Sequence, residues 1–477
     1  MQERQIPKFH LFRRDGRNIV FDCHTFATFV VDELACDVLH AYERGQGDHE
    51  TVQKMLCERY ADEAIQDTLR EIETLQANGY LVNNDSLPAG IQVKPADADQ
   101  LESSGMTLMV AHTCNLRCAY CYTHAGSFSA YPSLMNSDTA RQAIDFLVKR
   151  SGGGKTCKVG FFGGEPMLNL KLIREVVAYS DTLKKRYDLD FTFNLTTNGT
   201  LLRDGVLEFL CAHEFGIVFS LDGPRQVHDA CRCFPGGRGS FDCVMEAARK
   251  IKSLGRPLWV RATLTHQSPP LEQLLQFFEH EVGADRVLVG PMMDVGDVGP
   301  LSLTEGDLDS FLAQEGRVAV CNLPHLINKR AVPYNPLIEP IRRLHRRRGE
   351  IFSCDAGKGQ IAVASNGDIY PCHRFVGLEA FVIGNVWHGL DGERWANFFN
   401  NFDEASQKCK SCWAYYQCAG GCARQRALDD GTFSPPGDTL CRHWRSSFEL
   451  AIATYAGLRK DHPDVVDWIA KSTAIQV

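Results

Sequence analysis

Residues 106–295 alternate short β-branched or aromatic runs with amphipathic helical patterns, and this alternation constrains the fold more than any other feature. The expected strands are Met106–His112, Lys158–Phe162, Phe191–Thr196, Gly216–Leu221, Leu258–Leu264 and Arg286–Val289. Helical patterns lie between them near 137–150, 170–186, 201–214, 241–254 and 270–282. This order predicts an α/β protein whose parallel sheet has right-handed crossovers, and six strands rather than eight predict an open, partial (β/α)6 barrel of the TIM type.

Three cysteines, Cys114, Cys118 and Cys121, follow the first expected strand at the spacing C-x3-C-x2-C. With 19 cysteines in 477 residues, about 0.03 such triplets arise by chance. Thiolates hold iron–sulfur cubanes, and a four-iron cluster with three thiolates keeps one iron open to a small bidentate ligand. A zinc knuckle is the alternative, with His124 as a fourth ligand.

The charge and the hydropathy of the chain exclude two classes of partner. A net charge of −8 argues against bulk nucleic-acid binding, and no apolar stretch is long enough to span a membrane. We therefore expect a cytoplasmic protein whose cysteines are metal ligands or free thiols, since the cytosol keeps thiols reduced. A local basic run at 342–348 is interpreted as a solvated helix face or a contact to a peptide carboxylate.

The cysteine triplet, with an aromatic residue, Tyr120, before its third cysteine, resembles the cluster loop of the radical S-adenosylmethionine (SAM) enzymes. The resemblance implies that the triplet binds a [4Fe–4S] cluster, that Tyr120 contributes to the cofactor site, and that SAM chelates the fourth iron. One-electron reduction of SAM then yields a 5′-deoxyadenosyl radical.

Further candidate residues stand at the ends of later expected strands, where barrel active sites lie. By the same resemblance, Gly163, Gly164 and Glu165 hold the amino group of SAM, because two glycines let the backbone approach a ligand and a carboxylate accepts an ammonium group. The resemblance also places Asn198, Ser220 and Asp222 near the ribose or the substrate and Arg261 on the SAM carboxylate. No residue is assigned as the catalytic base.

A second cysteine block resembles the SPASM domain, an extension of peptide-modifying radical SAM enzymes that carries two auxiliary clusters. The resemblance implies that one auxiliary [4Fe–4S] cluster is bound by Cys409, Cys412, Cys418 and Cys441. It implies that the other is bound by Cys354, Cys372 and Cys422. This second set lacks a fourth cysteine, so its remaining iron is open, held by another group, or bound by a substrate thiolate. Structural zinc is the alternative for the whole block.

The N-terminal segment has a hairpin signal around Asp15-Gly16, three helical patterns and a closing Gly79-Tyr80-Leu81-Val82. This order resembles a winged-helix-like peptide-recognition module, which implies that a leader peptide adds a strand to its sheet. A stabilising cap is the alternative. The expected regions are the module 1–90, a linker 91–105, the barrel 106–300, a helical connector 301–350, the SPASM domain 351–450 and a C-terminal helix or tail 451–477.

The three-part arrangement most resembles the maturation proteins of quinohemoprotein amine dehydrogenase. The resemblance implies thioether cross-links between Cys sulfur and a methylene carbon of Asp or Glu in a small polypeptide. It also implies an external electron donor. Two alternatives stay open: another peptide modification on the same scaffold, such as formylglycine formation or a different thioether, and a non-catalytic iron–sulfur or zinc protein.

Overall fold

The computed structural model describes residues 9–45, 47–82, 91–92, 105–123, 133–151, 156–292 and 299–472. Most of the expected linker and His124, the candidate zinc ligand, lie outside these residues.

The N-terminal module is a three-stranded antiparallel sheet packed against three helices. Its strands are β1 Phe9–Arg14, β2 Arg17–Asp22 and β3 Thr28–Val31, and its helices are α1 Glu33–Arg44, α2 His49–Leu56 and α3 Asp62–Ala77. Asp15 and Gly16 join β1 to β2 with φ angles of 52° and 73°, as a two-residue type I′ hairpin requires. The sequence predicts the hairpin of β1 and β2, and the structure has a third strand, β3, paired with β2.

The central region holds most of the remaining strands. They are β4 Ile91–Gln92, β5 Gly105–His112, β6 Ser133–Leu134, β7 Thr156–Gly163, β8 Asp190–Thr197, β9 Gly216–Ser220, β10 Trp259–Leu264 and β11 Arg286–Pro291. The helices are α4 Ser137–Lys149, α5 Leu170–Tyr187, α6 Asp204–Ala212, α7 Arg225–Cys231, α8 Phe241–Ser253 and α9 Leu271–Gln276, which a π-helical segment Phe277–Val282 extends.

Six of these strands form a parallel sheet in the order β11-β10-β9-β8-β7-β5. Leu108, Phe161, Leu195 and Val260 are buried between the sheet and its helices. The expected partial barrel is confirmed, and all six predicted strands are present. Helix α7 and strand β6, which pairs with β5, were not predicted.

The C-terminal half begins with three helices and continues in the cysteine-rich domain. The helices are α10 Glu305–Cys321, α11 Leu323–Ile327, α12 Ile338–His345, α13 Gly392–Ala405, α14 Tyr415–Cys418, α15 Ala423–Arg426, α16 Asp438–Asp461 and α17 Pro463–Lys471. The strands are β12 Gly349–Glu350, β13 Gln360–Val363, β14 Asp368–Tyr370, β15 Gly384–Asn385 and β16 Gly389–Leu390. Helix α16 runs through residue 450, so the boundary expected there falls inside a helix.

The cysteine-rich domain shares a sheet with the barrel. Strand β13 pairs in parallel with β5, and β14, β15 and β16 continue the same sheet. Gly105 lies opposite Gln360, where an added Cβ atom would be 1.9 Å from the Gln360 amide nitrogen. This close approach favours glycine, and the shared sheet fixes the cysteine-rich domain against the barrel.

Arg346, Arg347 and Arg348 of the basic run are exposed, in line with the interpretation as a solvated face. Two arginines of the run also have a role that neither interpretation included. Arg342 is buried, and its guanidinium donates to the carbonyl oxygens of Ile469 and Ser472 at the end of α17. Arg346 donates to the carbonyl of Ala470. The two arginines therefore satisfy carbonyl groups that a helix C-terminus leaves unpaired, and their charge complements the helix dipole.

The N-terminal module packs on the C-terminal half. His10 stacks on Trp413 with ring centroids 3.9 Å apart, and its Nε2 atom lies 2.9 Å from the Glu449 carboxylate. Phe21 and Phe26 enter the same apolar cluster as Tyr416 and helix α16. The module is therefore attached by a buried apolar contact as well as by the chain.

Candidate active site

The loop that carries Cys114, Cys118 and Cys121, here called the cluster loop, follows the carboxyl end of β5. Hydrogen bonds hold it on both sides. The amide of Leu116 donates to the Cys114 sulfur at 3.3 Å, and the Asn198 side-chain amide lies 3.8 Å from it. The amides of Arg117 and Ala119 donate to the carbonyls of Cys233 and Cys231, at 2.7 and 2.9 Å. Hydrogen bonds donated to sulfur stabilise a thiolate, so the loop suits an anionic metal cluster.

Burial disfavours the thiolates until a metal binds. It raises the pKa of Cys114 to about 11 and that of Cys118 to about 12. Within the described residues, no three His, Cys, Asp or Glu side chains are placed to hold a single metal ion.

The glycine pair after β7 brings a buried carboxylate beside this loop. Gly163 has a φ of 142°, and an added Cβ atom would lie 2.3 Å from the Ala111 carbonyl oxygen. The amides of Gly164 and Glu165 donate to Ala111 and Thr113, which ties this turn to the start of the cluster loop. Only glycine fits this close approach at position 163.

Glu165 is fully buried and accepts hydrogen bonds from the amides of Met167 and Asn198 and from the Thr197 hydroxyl. Burial raises its pKa to about 7 despite these donors. No cation contacts the carboxylate closely within the described residues. It is therefore suited to receive a positively charged group from a ligand.

Asp222 faces inward instead of towards the open end of the barrel. Its carboxylate accepts from the Tyr120 hydroxyl at 2.6 Å, from Arg232 Nε at 2.8 Å and from the Thr263 amide at 3.0 Å. Arg232, which the sequence analysis missed, also points to the Cys118 sulfur, 3.9 Å away. The surrounding sequence, which mixes polar and apolar residues, carries no local signal that singles out Arg232. Tyr120 and Asp222 therefore contribute to a buried network that supports the cluster loop.

Asn198, Ser220 and Arg261 lie around the same opening. The Asn198 side-chain amide donates to Asn115 Oδ1 at 2.9 Å, which fixes it against the cluster loop. Ser220 and Arg261 are register partners on β9 and β10. Burial and the nearby Arg374 lower the pKa of Arg261, and its guanidinium makes no hydrogen bond with any described residue. Such a cation fits an incoming carboxylate.

The cysteine-rich domain brings together the two sets that the sequence predicts. Burial, with a smaller contribution from the neighbouring thiols Cys354 and Cys422, raises the pKa of Cys372 to about 12. In the second set, burial and the thiols Cys409, Cys412 and Cys441 raise the pKa of Cys418 to about 12. The thiols of each set are thus electrostatic neighbours, and the first set has three members.

The barrel and the cysteine-rich domain meet beside Cys121. Tyr122 is partly buried, and its buried hydroxyl has no hydrogen-bond partner among the described residues. Burial raises the pKa of this hydroxyl, as do the neighbouring Cys372 and Cys121 from the two domains. His373 packs on Phe162 of β7 with ring centroids 4.7 Å apart. The set of Cys354, Cys372 and Cys422 therefore lies close to the cluster loop. The sequence alone did not show this proximity.

Comparison with known proteins agrees with this geometry. Residues 108–278 match the radical SAM superfamily, and residues 354–413 match SPASM, an iron–sulfur cluster-binding domain. A cysteine-type anaerobic sulfatase-maturating enzyme from Clostridium novyi is 25% identical over 366 residues, which cover 71% of this chain and 92% of that enzyme.

Two solved structures share the fold of this chain. Native anSMEcpe with bound AdoMet and a Kp18Cys peptide has a TM-score of 0.65 at 21% identity, with 75% of this chain and 99% of that chain covered. SuiB from Streptococcus suis has a TM-score of 0.51 at 16% identity and covers 91% of this chain and 99% of its own. The 9% left uncovered is shorter than the N-terminal module, so the likeness to SuiB extends into that module. Among the helices that the structure describes, none has the length and apolar character of a membrane span.

Proposed function

We propose that the protein is a peptide-modifying radical SAM enzyme that joins a Cys sulfur to a methylene carbon of Asp or Glu in a small polypeptide. The observation that carries the proposal is the position of the three-cysteine set of Cys354, Cys372 and Cys422 beside the cluster loop of the barrel. A substrate between the two would have one sulfur-binding site and one radical source within reach.

The residues around the barrel opening support SAM binding. Glu165 offers a carboxylate to the amino group, Arg261 offers a guanidinium to the carboxylate, and Asn198 and Ser220 lie near both. A [4Fe–4S] cluster with bound SAM supplies a 5′-deoxyadenosyl radical. The protein then has to position one methylene and exclude water, which the buried walls of the barrel favour.

The proposed bond is a two-electron oxidation of the polypeptide. A C–H and an S–H bond break and one C–S bond forms. The hydrogen atom leaves with 5′-deoxyadenosine, and a proton and one electron remain to be removed. The set of Cys354, Cys372 and Cys422 lies where an auxiliary cluster would accept that electron, and an external electron donor supplies the electron that cleaves SAM.

The N-terminal module is proposed to bind a leader segment of the substrate. Among the strands that the structure describes, β3 pairs with β2 alone, so its other edge has the unpaired backbone groups that an added strand needs. SuiB, which shares the fold, has a structure bound to the precursor peptide SuiA. A role of the module as a cap is supported by its packing on Trp413 and α16, and both roles are compatible with one structure.

Formylglycine formation is the second candidate, because the Clostridium novyi relative is a sulfatase-maturating enzyme that matches 71% of the chain. Anaerobic reconstitution separates the candidates. The enzyme should contain about twelve irons, four for each of three clusters. Incubation with SAM, a reductant and a small Cys- and Asp-rich polypeptide should remove two hydrogens for each bond, retain the sulfur and leave the Cys linked to Asp or Glu. Loss of sulfur from a Cys, or loss of two hydrogens at a Ser, would instead identify formylglycine, and an unchanged mass would contradict both.

A further inference from the structure

A cavity of about 1240 Å³ lies outside the SAM site and links three parts of the molecule. Val289 and Pro291, at the end of β11, form its barrel side. Cys354 and Cys422 form its SPASM side, and Arg14, the last residue of β1, reaches it from the N-terminal module. The cavity therefore adjoins both the proposed sulfur-binding site and the proposed leader-binding sheet.

Helix α10 presents a partly uncovered apolar face to this cavity. Only Val318 and Ala319 of its 17 residues are buried. Leu308, Phe311 and Leu312 line the cavity at intermediate exposure. A helix in a folded protein normally buries such a face against another element.

The opposite wall and the rim extend this apolar surface. Trp444 of α16 is 37% exposed and Val320 of α10 is 59% exposed, and both line the cavity. An apolar surface of this extent on a protein chain commonly marks a binding site. The buried carboxylate in the cavity wall, Glu315, already accepts from Tyr334, so it does not demand a cationic ligand.

Gly316 gives independent support for a ligand here. It lies inside α10, where glycine stabilises a helix less than alanine does. Packing does not require it, because an added Cβ atom would meet only Leu450, at 3.9 Å, which is an ordinary contact. A glycine in a helix wall that faces a cavity leaves room for a ligand to approach the backbone.

The volume and the position indicate the kind of occupant. Sites for drug-sized ligands span about 300–1,000 Å³, and this cavity is larger. Its apolar walls suit an extended polypeptide with apolar side chains better than a second charged cofactor. The chain of the substrate must also pass from the N-terminal module to the cysteines, and Arg14 and Cys354 border the same space.

We propose that this cavity binds the segment of the substrate polypeptide that follows its leader, and that it guides the acceptor cysteine to Cys354 and Cys422. The proposal rests on the proposed function for the identity of the occupant. It adds the path by which the polypeptide reaches the chemistry.

Gly316→Trp tests the proposal by filling the cavity, and Gly316→Ala is the matched control. The probe is a fluorescently labelled small polypeptide that is rich in Cys and Asp and carries a leader segment, together with that leader segment alone. Anisotropy titrations of the anaerobic holoenzyme should show at least tenfold weaker binding of the full polypeptide to Gly316→Trp. The leader segment should bind all three proteins equally, and SAM cleavage without polypeptide should be unchanged.

Equal binding of the full polypeptide to Gly316→Trp and Gly316→Ala would overturn the proposal, as would no binding to the unmodified enzyme. Circular dichroism and thermal unfolding of both variants show whether the tryptophan disturbs folding. If it does, Leu312→Trp on the same wall replaces it. A change in oligomeric state with intact polypeptide binding would assign the cavity to a contact between copies and reject the proposal. If the bond proves not to be a thioether while Gly316→Trp still weakens binding, the proposed chemistry fails and the cavity assignment stands.

Discussion

The two candidate cluster sites beside Tyr122 differ in how their thiols are surrounded. Cys114 and Cys118 lie in a closed polar network with Asn198, Arg232 and the Leu116 amide. Cys354, in contrast, is exposed on the wall of a large apolar cavity. A closed network holds one cofactor in one geometry, whereas an open wall leaves access for a changing partner. The contrast is therefore between a site preorganised for SAM and a site accessible to a polypeptide.

Removal of the barrel thiols should have the largest effect. The triple variant Cys114→Ala, Cys118→Ala and Cys121→Ala should lose about four irons and all SAM cleavage, since no other thiols bind the SAM-chelating cluster. Iron analysis and 5′-deoxyadenosine production by chromatography measure both. Retained SAM cleavage would contradict the assignment of the loop.

The variant Cys372→Ala should separate the two sites. SAM cleavage should continue, because the barrel thiols are unchanged, whereas cross-link formation should fall below detection. A polypeptide deuterated at the acceptor methylene should still transfer deuterium to 5′-deoxyadenosine, as mass spectrometry can show. Cross-linking at the normal rate would show that Cys354, Cys372 and Cys422 take no part in forming the bond.

Arg232→Met should show how much the closed network around Cys114 and Cys118 contributes to the free energy of unfolding. The variant leaves the Asp222 carboxylate buried without its cation, so the free energy of unfolding should fall by about 3–5 kcal/mol. The control is Arg317→Met on the cavity wall, whose ion pair with Glu272 is exposed and should contribute less than about 1 kcal/mol. Urea unfolding measures both, and equal losses would show that the two regions do not differ in this way.

Glu165 should make SAM binding depend on pH. Its pKa of about 7 lies above its ordinary value, so below pH 7 the carboxyl group is mostly neutral without ligand. The raised pKa means that Glu165 contributes to the free energy of unfolding at low pH, and this contribution is lost as the pH rises through 7. SAM needs the carboxylate, so its affinity should be about tenfold lower at pH 6 than at pH 7.5. Calorimetric titration of Glu165→Gln should give weaker binding without this dependence, and a parallel dependence in the variant would assign the effect to another group.

The smallest effect is expected at the edge strand of the module. Val30 of β3 is 49% exposed, and Val30→Asp should weaken leader binding by several-fold because it places a charge beside the added strand. Arg13→Asp, on the exposed side of β1, is the control for charge alone. SAM cleavage should be unchanged in both. Equal leader affinity in Val30→Asp and the unmodified protein would favour a capping role for the module.

Much of the fold follows from local patterns in the sequence. Strand and helix periodicity depends on neighbouring residues, and for this reason all six barrel strands were predicted within two residues of their ends. The cysteine spacings likewise identify the candidate cluster loops, because a loop that wraps a cluster needs its thiols at short intervals. The Asp15-Gly16 hairpin is local in the same sense, since its φ angles require particular residues.

The tertiary structure decided what depends on contacts between distant residues. Pairing of β13 with β5, which places Cys372 near Cys121, joins segments about 250 residues apart and leaves no local pattern. Arg232 appears as a partner of Asp222 only when the barrel closes around both. The contacts of Arg342 and Arg346 were not predicted because a helix end that follows about 120 residues later supplies their carbonyl partners. The sequence by itself thus determined the elements and the candidate ligands, and tertiary packing determined which ligands share a site and where a cavity remains.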